Sequence, residues 1–168
     1  IEKGLAFPLK GFDCDNGSEF LNHHLVRFFT DRNPKVKFTR SRPYKKNDNA
    51  HVEQKNWSFV RQLLGYDRLD NPRLVELINC LYSIEWSQVP NHFCPTFKLL
   101  EKKKKGSKYL KKYKYPQTPY QRLIDSSQIT QEKKEQLQTC HQNLNPFILK
   151  KEIEQKLKGI FSLVKVTT

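Results

Sequence analysis

Asp15-Asn16-Gly17-Ser18-Glu19-Phe20 follows directly on the run Pro8 to Cys14, and the reading of this stretch decides the fold. Pro8 to Cys14 reads as a short strand, and Asp-Asn-Gly is ordinary turn chemistry, because short polar side chains and glycine accept tight backbone geometry. Ser18 can then cap a helix whose apolar face uses Leu21, Leu25, Phe28 and Phe29 at helical spacing. Asp15 therefore sits at the C-terminal end of a strand, just before a helix. Pro34 breaks the helical pattern, and Val36 and Phe38 alternate with Lys35 and Lys37 as a second, half-buried strand.

Outward from this point, a basic loop, Arg40-Ser41-Arg42-Pro43-Tyr44-Lys45-Lys46-Asn47, leads into a helix from about Asp48 to Leu64. Ala50, Trp57, Val60 and Leu64 lie along one side of that helix, and Gly65 ends it. Glu53 is carried on it, with 37 positions between Asp15 and Glu53. Asn49 and Asn56 stand four before and three after Glu53, hence on its face. Taken singly, Asp15 reads as a turn residue and Glu53 as a solvated helix glutamate.

Taken together with their flanks, these segments resemble the DDE superfamily of retroviral integrases and insertion-sequence transposases. There an Asp-Asn-Gly turn precedes a helical glutamate at a similar separation. The run Arg40 to Asn56 is similar to the bacterial insertion-sequence signature almost throughout. Gly65-Tyr66-Asp67-Arg68 and Tyr115-Pro116-Gln117-Thr118-Pro119-Tyr120 fit it as well, so the resemblance spans most of residues 8–150. It implies an α/β fold: an RNase H-like integrase core, incomplete because its first strands are missing, with a helical C-terminal extension. The chain carries no Met and begins at Ile1, which leads to the expectation of an N-terminally truncated core.

The resemblance also implies the chemistry. DNA strand transfer is an in-line displacement at phosphorus, and two Mg²⁺ ions about 3.5–4 Å apart stabilise the attacking and leaving oxygens. Such hard ions take oxygen ligands, so Asp15 and Glu53 are the expected catalytic and metal-binding residues, with Mg²⁺ or Mn²⁺ as cofactor. A third carboxylate, an aspartate on a separate strand upstream, is called for. Only Glu2 and Asp13 are acidic before Asp15, and Asp13 shares a strand with it. The expectation is weak or absent metal binding, and no cleavage or joining by these residues alone.

Composition independently favours a polyanionic partner. Thirty-one Lys and Arg against 17 Asp and Glu give a net charge of +14, an excess that suits nucleic acid, with ribosomal and membrane-surface proteins as the bland alternatives. Between Lys98 and Tyr115 nine lysines and one glutamate carry more than half of it, interleaved with Tyr109, Tyr113 and Tyr115. Lys102, Lys103, Lys104, Lys105, Lys108, Lys111 and Lys112 are accordingly candidate phosphate contacts, as are Arg40, Arg42, Lys45, Lys46, Asn49 and Asn56 around the Glu53 helix.

The organisation expected is a core over 1–97, a basic linker over 98–115 and a helical extension over 116–168. In the core, Asn71-Pro72 opens a helix through Leu74, Leu77, Ile78, Leu81 and Tyr82, and Pro90 and Pro95 bracket its exit. In the extension, helices are expected over about Thr130 to Asn143 and Pro146 to Lys158, with Leu149, Ile153 and Leu157 on one face; Ile160 to Thr168 is left unassigned. Cys14, Cys80, Cys94 and Cys140 form no CxxC pair, and His92 and Cys94 lack the spacing of a metal site. No apolar run reaches membrane-span length, which points to a reducing cytosol. DNA is the expected partner, with self-association or a full-length transposase by resemblance, and neither a membrane nor a small-molecule substrate. The rival readings are a non-catalytic DNA-binding remnant and a metal-dependent nuclease of the same fold.

Overall fold

A computed structural model describes residues 5–14, 17, 22–42 and 44–165, save the side chains of Lys46 and Lys165. These residues are mixed α/β and predominantly helical, with two small two-stranded sheets. They divide into two compact units, residues 1–68 and 69–168.

In the first unit, β1 (Gly11–Cys14) and β2 (Lys37–Arg40) pair in parallel, in register from Gly11–Lys37 to Cys14–Arg40. A parallel pair needs a crossover, and α1 (His23–Thr30) lies within it. The apolar side chains of α1 explain its docking. Phe29 stacks on Phe12 of β1 with centroids 4.6 Å apart, and Phe38 of β2 lies 5.8 Å from Phe12. Cys14, Phe29, Val36 and Leu64 are buried in this unit.

The start of α1 differs from the sequence expectation. Its N-cap is Asn22, whose side-chain oxygen accepts from the Leu25 amide at 2.8 Å, and the expected cap Ser18 lies outside the described residues, as does Leu21. The Glu53 helix differs too. It opens with a 3₁₀ turn (Lys46–Asn49), becomes α2 (Ala50–Asn56), widens into a π turn (Trp57–Arg61) and closes with α3 (Gln62–Leu64). The π turn adds a residue to the winding, so the expected stripe does not align. Ala50 and Trp57 are exposed, and only Leu64 is buried. Gly65, at φ +71°, ends it in the left-handed region that a Cβ disfavours.

The second unit is built on α4 (Arg73–Leu81) and α8 (Pro146–Lys165). α4 starts one residue later than the sequence suggests, with Pro72 at the cap position, and Asn71 Oδ1 accepts from the Arg73 amide at 3.0 Å. Leu74 and Leu81 of α4 and Leu149, Ile153 and Ile160 of α8 are buried. α8 thus continues seven residues beyond the expected end at Lys158. Burial of Ile160, at 1% exposure, outweighs the low helix propensity of Gly159. Pro90 also falls inside a helix. α4 passes through a π turn (Tyr82–Trp86) into α5 (Ser87–His92), where side chains take up backbone acceptors: Ser87 Oγ donates to the Ser83 carbonyl at 3.2 Å and Asn91 Nδ2 to the Ser87 carbonyl at 2.8 Å.

β3 (Leu99–Lys105) and β4 (Lys108–Tyr113) form an antiparallel hairpin, so the basic stretch of residues 98–115 is regular structure. Gly106, at φ +63°, makes the tight turn between the strands. α6 (Pro119–Ile124) and α7 (Gln131–Gln142) follow, capped by Thr118 and Thr130. No helix of the described residues is long and apolar enough to cross a membrane.

Candidate functional site

The carboxyl end of the parallel pair is where the candidate residues begin. Cys14 and Arg40 are register partners, and the Ser41 amide donates to the Cys14 carbonyl at 3.1 Å. The basic loop therefore leaves the sheet beside the residue that precedes Asp15 in the chain. Asp15 itself lies outside the described residues. Asp13 is engaged within the sheet, accepting from Thr39 Oγ1 at 2.7 Å. Arg40 is exposed and, with His23, Val26, Arg27 and Phe38, lines a shallow depression between α1 and β2.

Further along the loop, Arg42 closes a clasp. Its Nε donates to Asp48 Oδ2 at 2.8 Å and its terminal nitrogen to Asp48 Oδ1 at 3.0 Å, while its amide reaches Oδ2 at 3.2 Å. A planar guanidinium matches a carboxylate in this two-point manner. These hydrogen bonds hold the Asp48 carboxyl down at about 2 and raise the Arg42 guanidinium. Much of Arg42's charge is thus met by Asp48. Lys45 is exposed, and the side chain of Lys46 lies outside the described residues. Tyr44 is fully exposed at φ +61°, a left-handed geometry uncommon for a bulky residue.

Glu53 stands exposed in α2, one turn past the clasp, and Asn56 is exposed at the end of the same helix. Asn49 differs: its Oδ1 is buried and finds no donor among the described residues. Among the described residues no three His, Cys, Asp or Glu side chains group as a metal site.

No family model matches the chain, and no solved structure matches it. It is similar to a protein of Sinorhizobium fredii named "Uncharacterized protein y4rM". The two are 42% identical over 116 residues, which cover 69% of this chain and 32% of that protein. The chain thus spans about a third of its relative's length. That name carries no activity to transfer.

The candidate lysines of the second unit gather on the hairpin. Cross-strand pairs share a face and alternate residues oppose, so Lys102, Lys104 and Lys111 lie on one face with Tyr109. Lys103, Lys105, Lys108 and Lys112 lie on the other with Glu101 and Leu110. Lys102 Nζ sits 4.3 Å over the Tyr109 ring, and Lys103 pairs with Glu101 at 2.7 Å.

Two clusters escaped the sequence reading. His92 of α5, Tyr120 of α6 and His141 of α7 stack together, with His92 Nδ1 and His141 Nδ1 3.1 Å apart. Burial, and then His141, push the buried His92 below the usual imidazole value. Lys156 of α8 reaches the buried Glu85 at 2.6 and 2.7 Å and Cys80 Sγ at 3.2 Å. Glu85, and to a lesser degree Cys80, raise the Lys156 ammonium, although desolvation opposes them. Both clusters join residues on separate helices, and no local pattern announces them.

Proposed function

We propose that this chain is part of a DDE-type DNA transposase or integrase, nearest the bacterial insertion-sequence group, whose core has an RNase H-like arrangement. The observation that carries this reading is the coupled pattern of Asp15-Asn16-Gly17 with Asn47-Asp48-Asn49-Ala50-His51-Val52-Glu53-Gln54-Lys55-Asn56, which leaves 37 positions between Asp15 and Glu53. Two structural features support it. β1 ends at Cys14 within a parallel pair, and the carboxyl ends of parallel strands are where α/β folds place ligands. The basic loop then runs from the same end into the helix that bears Glu53.

In this reading Asp15 and Glu53 supply two of the three carboxylates, and Mg²⁺ or Mn²⁺ is their ligand. When bound, such ions stabilise the attacking and leaving oxygens at phosphorus. Arg40, Lys45 and Lys46 handle substrate phosphates near Glu53, and Arg42 shapes the loop through Asp48. Among the described residues β2, the strand paired with β1, carries no aspartate, so in this reading the chain by itself neither cleaves nor joins DNA. The partners are DNA and further transposase subunits.

A non-catalytic DNA-binding role is the second reading. The observation that favours it is the hairpin, which presents its lysines without using either carboxylate.

The deciding experiment is a Mn²⁺ titration followed by paramagnetic broadening of amide signals. Broadening is expected near both Cys14 and Glu53 and should be lost at both in Asp15→Asn and in Glu53→Gln. Broadening at one locus alone, or unchanged by these substitutions, overturns the shared site. Strand transfer by the chain alone, abolished by Asp15→Asn, would overturn the statement that two carboxylates do not suffice.

A further inference from the structure

The hairpin β3–β4 has charge that its own fold does not explain. Every residue from Cys94 to Tyr115 is exposed, so burial contributes little to it. Its register sets Lys102 opposite Lys111 and Lys105 opposite Lys108. Like charges directly across a ladder destabilise it, and an isolated two-stranded hairpin is marginal even without them. The root, by contrast, is firmly built. The Thr96 amide donates to the Gln117 carbonyl at 3.0 Å, and Arg122 reaches Thr96 Oγ1 at 2.9 Å and its carbonyl as well. Gln117 Nε2 donates to Asp125 at 2.6 Å, and a capping box between Thr118 and Gln121 starts α6 immediately after. A fixed root thus carries a blade whose lysines repel one another on both faces.

We infer that this hairpin is a blade for duplex DNA, entering the major groove edge-on so that each face meets one phosphate wall. Lys102, Lys104 and Lys111 face one wall. Lys103, Lys105, Lys108 and Lys112 face the other. The major groove of B-DNA, about 12 Å wide, admits a two-stranded β-ribbon. The narrow, deep major groove of duplex RNA does not admit it. A single strand offers no second phosphate wall for the opposite face. The phosphates supply the countercharge that the free hairpin lacks, so binding and hairpin order rise together. This inference deepens the DNA-handling part of the proposed function and does not involve Asp15 or Glu53.

The test uses the full chain and a short duplex, with a matched single strand and a duplex RNA as competitors. Two variants neutralise one face each, Lys102→Gln/Lys104→Gln/Lys111→Gln and Lys103→Gln/Lys105→Gln/Lys108→Gln/Lys112→Gln. Matching Lys→Arg variants keep the charge. One chain per duplex site is expected, with each neutralised face lowering the slope of log K against log salt by about 2 to 4 and affinity by at least ~10-fold. Arg variants should bind as the parent does. Amide exchange along β3 and β4 should slow when duplex DNA is added. An effect from one face alone means the ribbon lies flat and overturns the inference, as does binding of two duplexes per chain. Preference for the single strand or the RNA overturns it as well. Undiminished binding by both neutralised variants removes the hairpin from the interface but leaves the DNA reading standing. Failure of the parent chain to bind duplex DNA at all removes both.

Discussion

The Ser41 amide donates to the Cys14 carbonyl at 3.1 Å, which carries the parallel ladder one residue past Arg40 and ties the basic loop to the end of β1. Both residues are buried, at 5% and 3% exposure, so water has little access to this bond.

The Ser41 amide should therefore exchange slowly, and its protection should depend on the aromatic packing beneath the strands. Phe29→Ala removes the ring that stacks on Phe12, and a loss of about 3–4 kcal/mol is expected. Urea unfolding measures the loss. Faster exchange at Ser41 in the same variant checks the coupling, and unchanged protection would separate the two.

Acidification should leave the Arg42–Asp48 clasp intact until well below neutral pH. Hydrogen bonds from Arg42 depress the Asp48 carboxyl to about 2. A depressed carboxylate stabilises the fold above its unfolded value of about 3.9, and that contribution fades as pH falls towards 2. A carbon-detected carboxyl titration should show Asp48 near this value in the parent chain and nearer 4 in Arg42→Gln, roughly the free carboxylate value.

Lys156 of α8 compensates the buried carboxylate of Glu85, in the π turn that follows α4. Lys156→Met should destabilise the chain by about 2–3 kcal/mol, somewhat less than the removal of a fully buried partner, because Lys156 retains some exposure. Adding Glu85→Gln should recover part of the loss, since the stranded charge then disappears. A double variant no more stable than the single one would deny the pair this role. The raised Lys156 ammonium contributes below its unfolded value and ceases to do so as pH climbs through its folded one.

The His92–His141 contact predicts sensitivity to mild acid. His92 is depressed by burial and by His141, so the unfolded chain binds its proton first as pH falls. Stability from this site is complete above the unfolded value of about 6.5 and declines below it. The melting temperature should drop between pH 7.5 and 5.5, about one unit either side of that value. His92→Gln should flatten the profile; an equally steep profile in the variant would place the titration elsewhere.

Legibility differed from element to element for physical reasons. The alternation of Val36 and Phe38 marked β2, and the helix expected over about 130–143 matches α7, because such patterns are written in consecutive residues. The helix after Asp48 was visible, but its π turn was not, since π winding has no residue signature of its own. Glu53 and the basic loop could be singled out by residue type and spacing. The clasp between Arg42 and Asp48 could not, because nothing in a spacing of six says that the loop folds back. In the lysine-rich stretch the charge was plain and the pairing was missed, as runs of lysine are weak strand formers. Register decided which lysines share a face.

By itself the sequence determined where charge concentrates, which segments can be helix or strand, and which carboxylates stand at a suggestive separation. All of these depend on neighbours along the chain. Tertiary structure alone decided that Ile160 extends α8 into the core, that Glu85 is neutralised by Lys156, and that His92 meets Tyr120 and His141. Each of these depends on removal from water by a segment many residues away, and the free energy of burial belongs to the contact rather than to either residue.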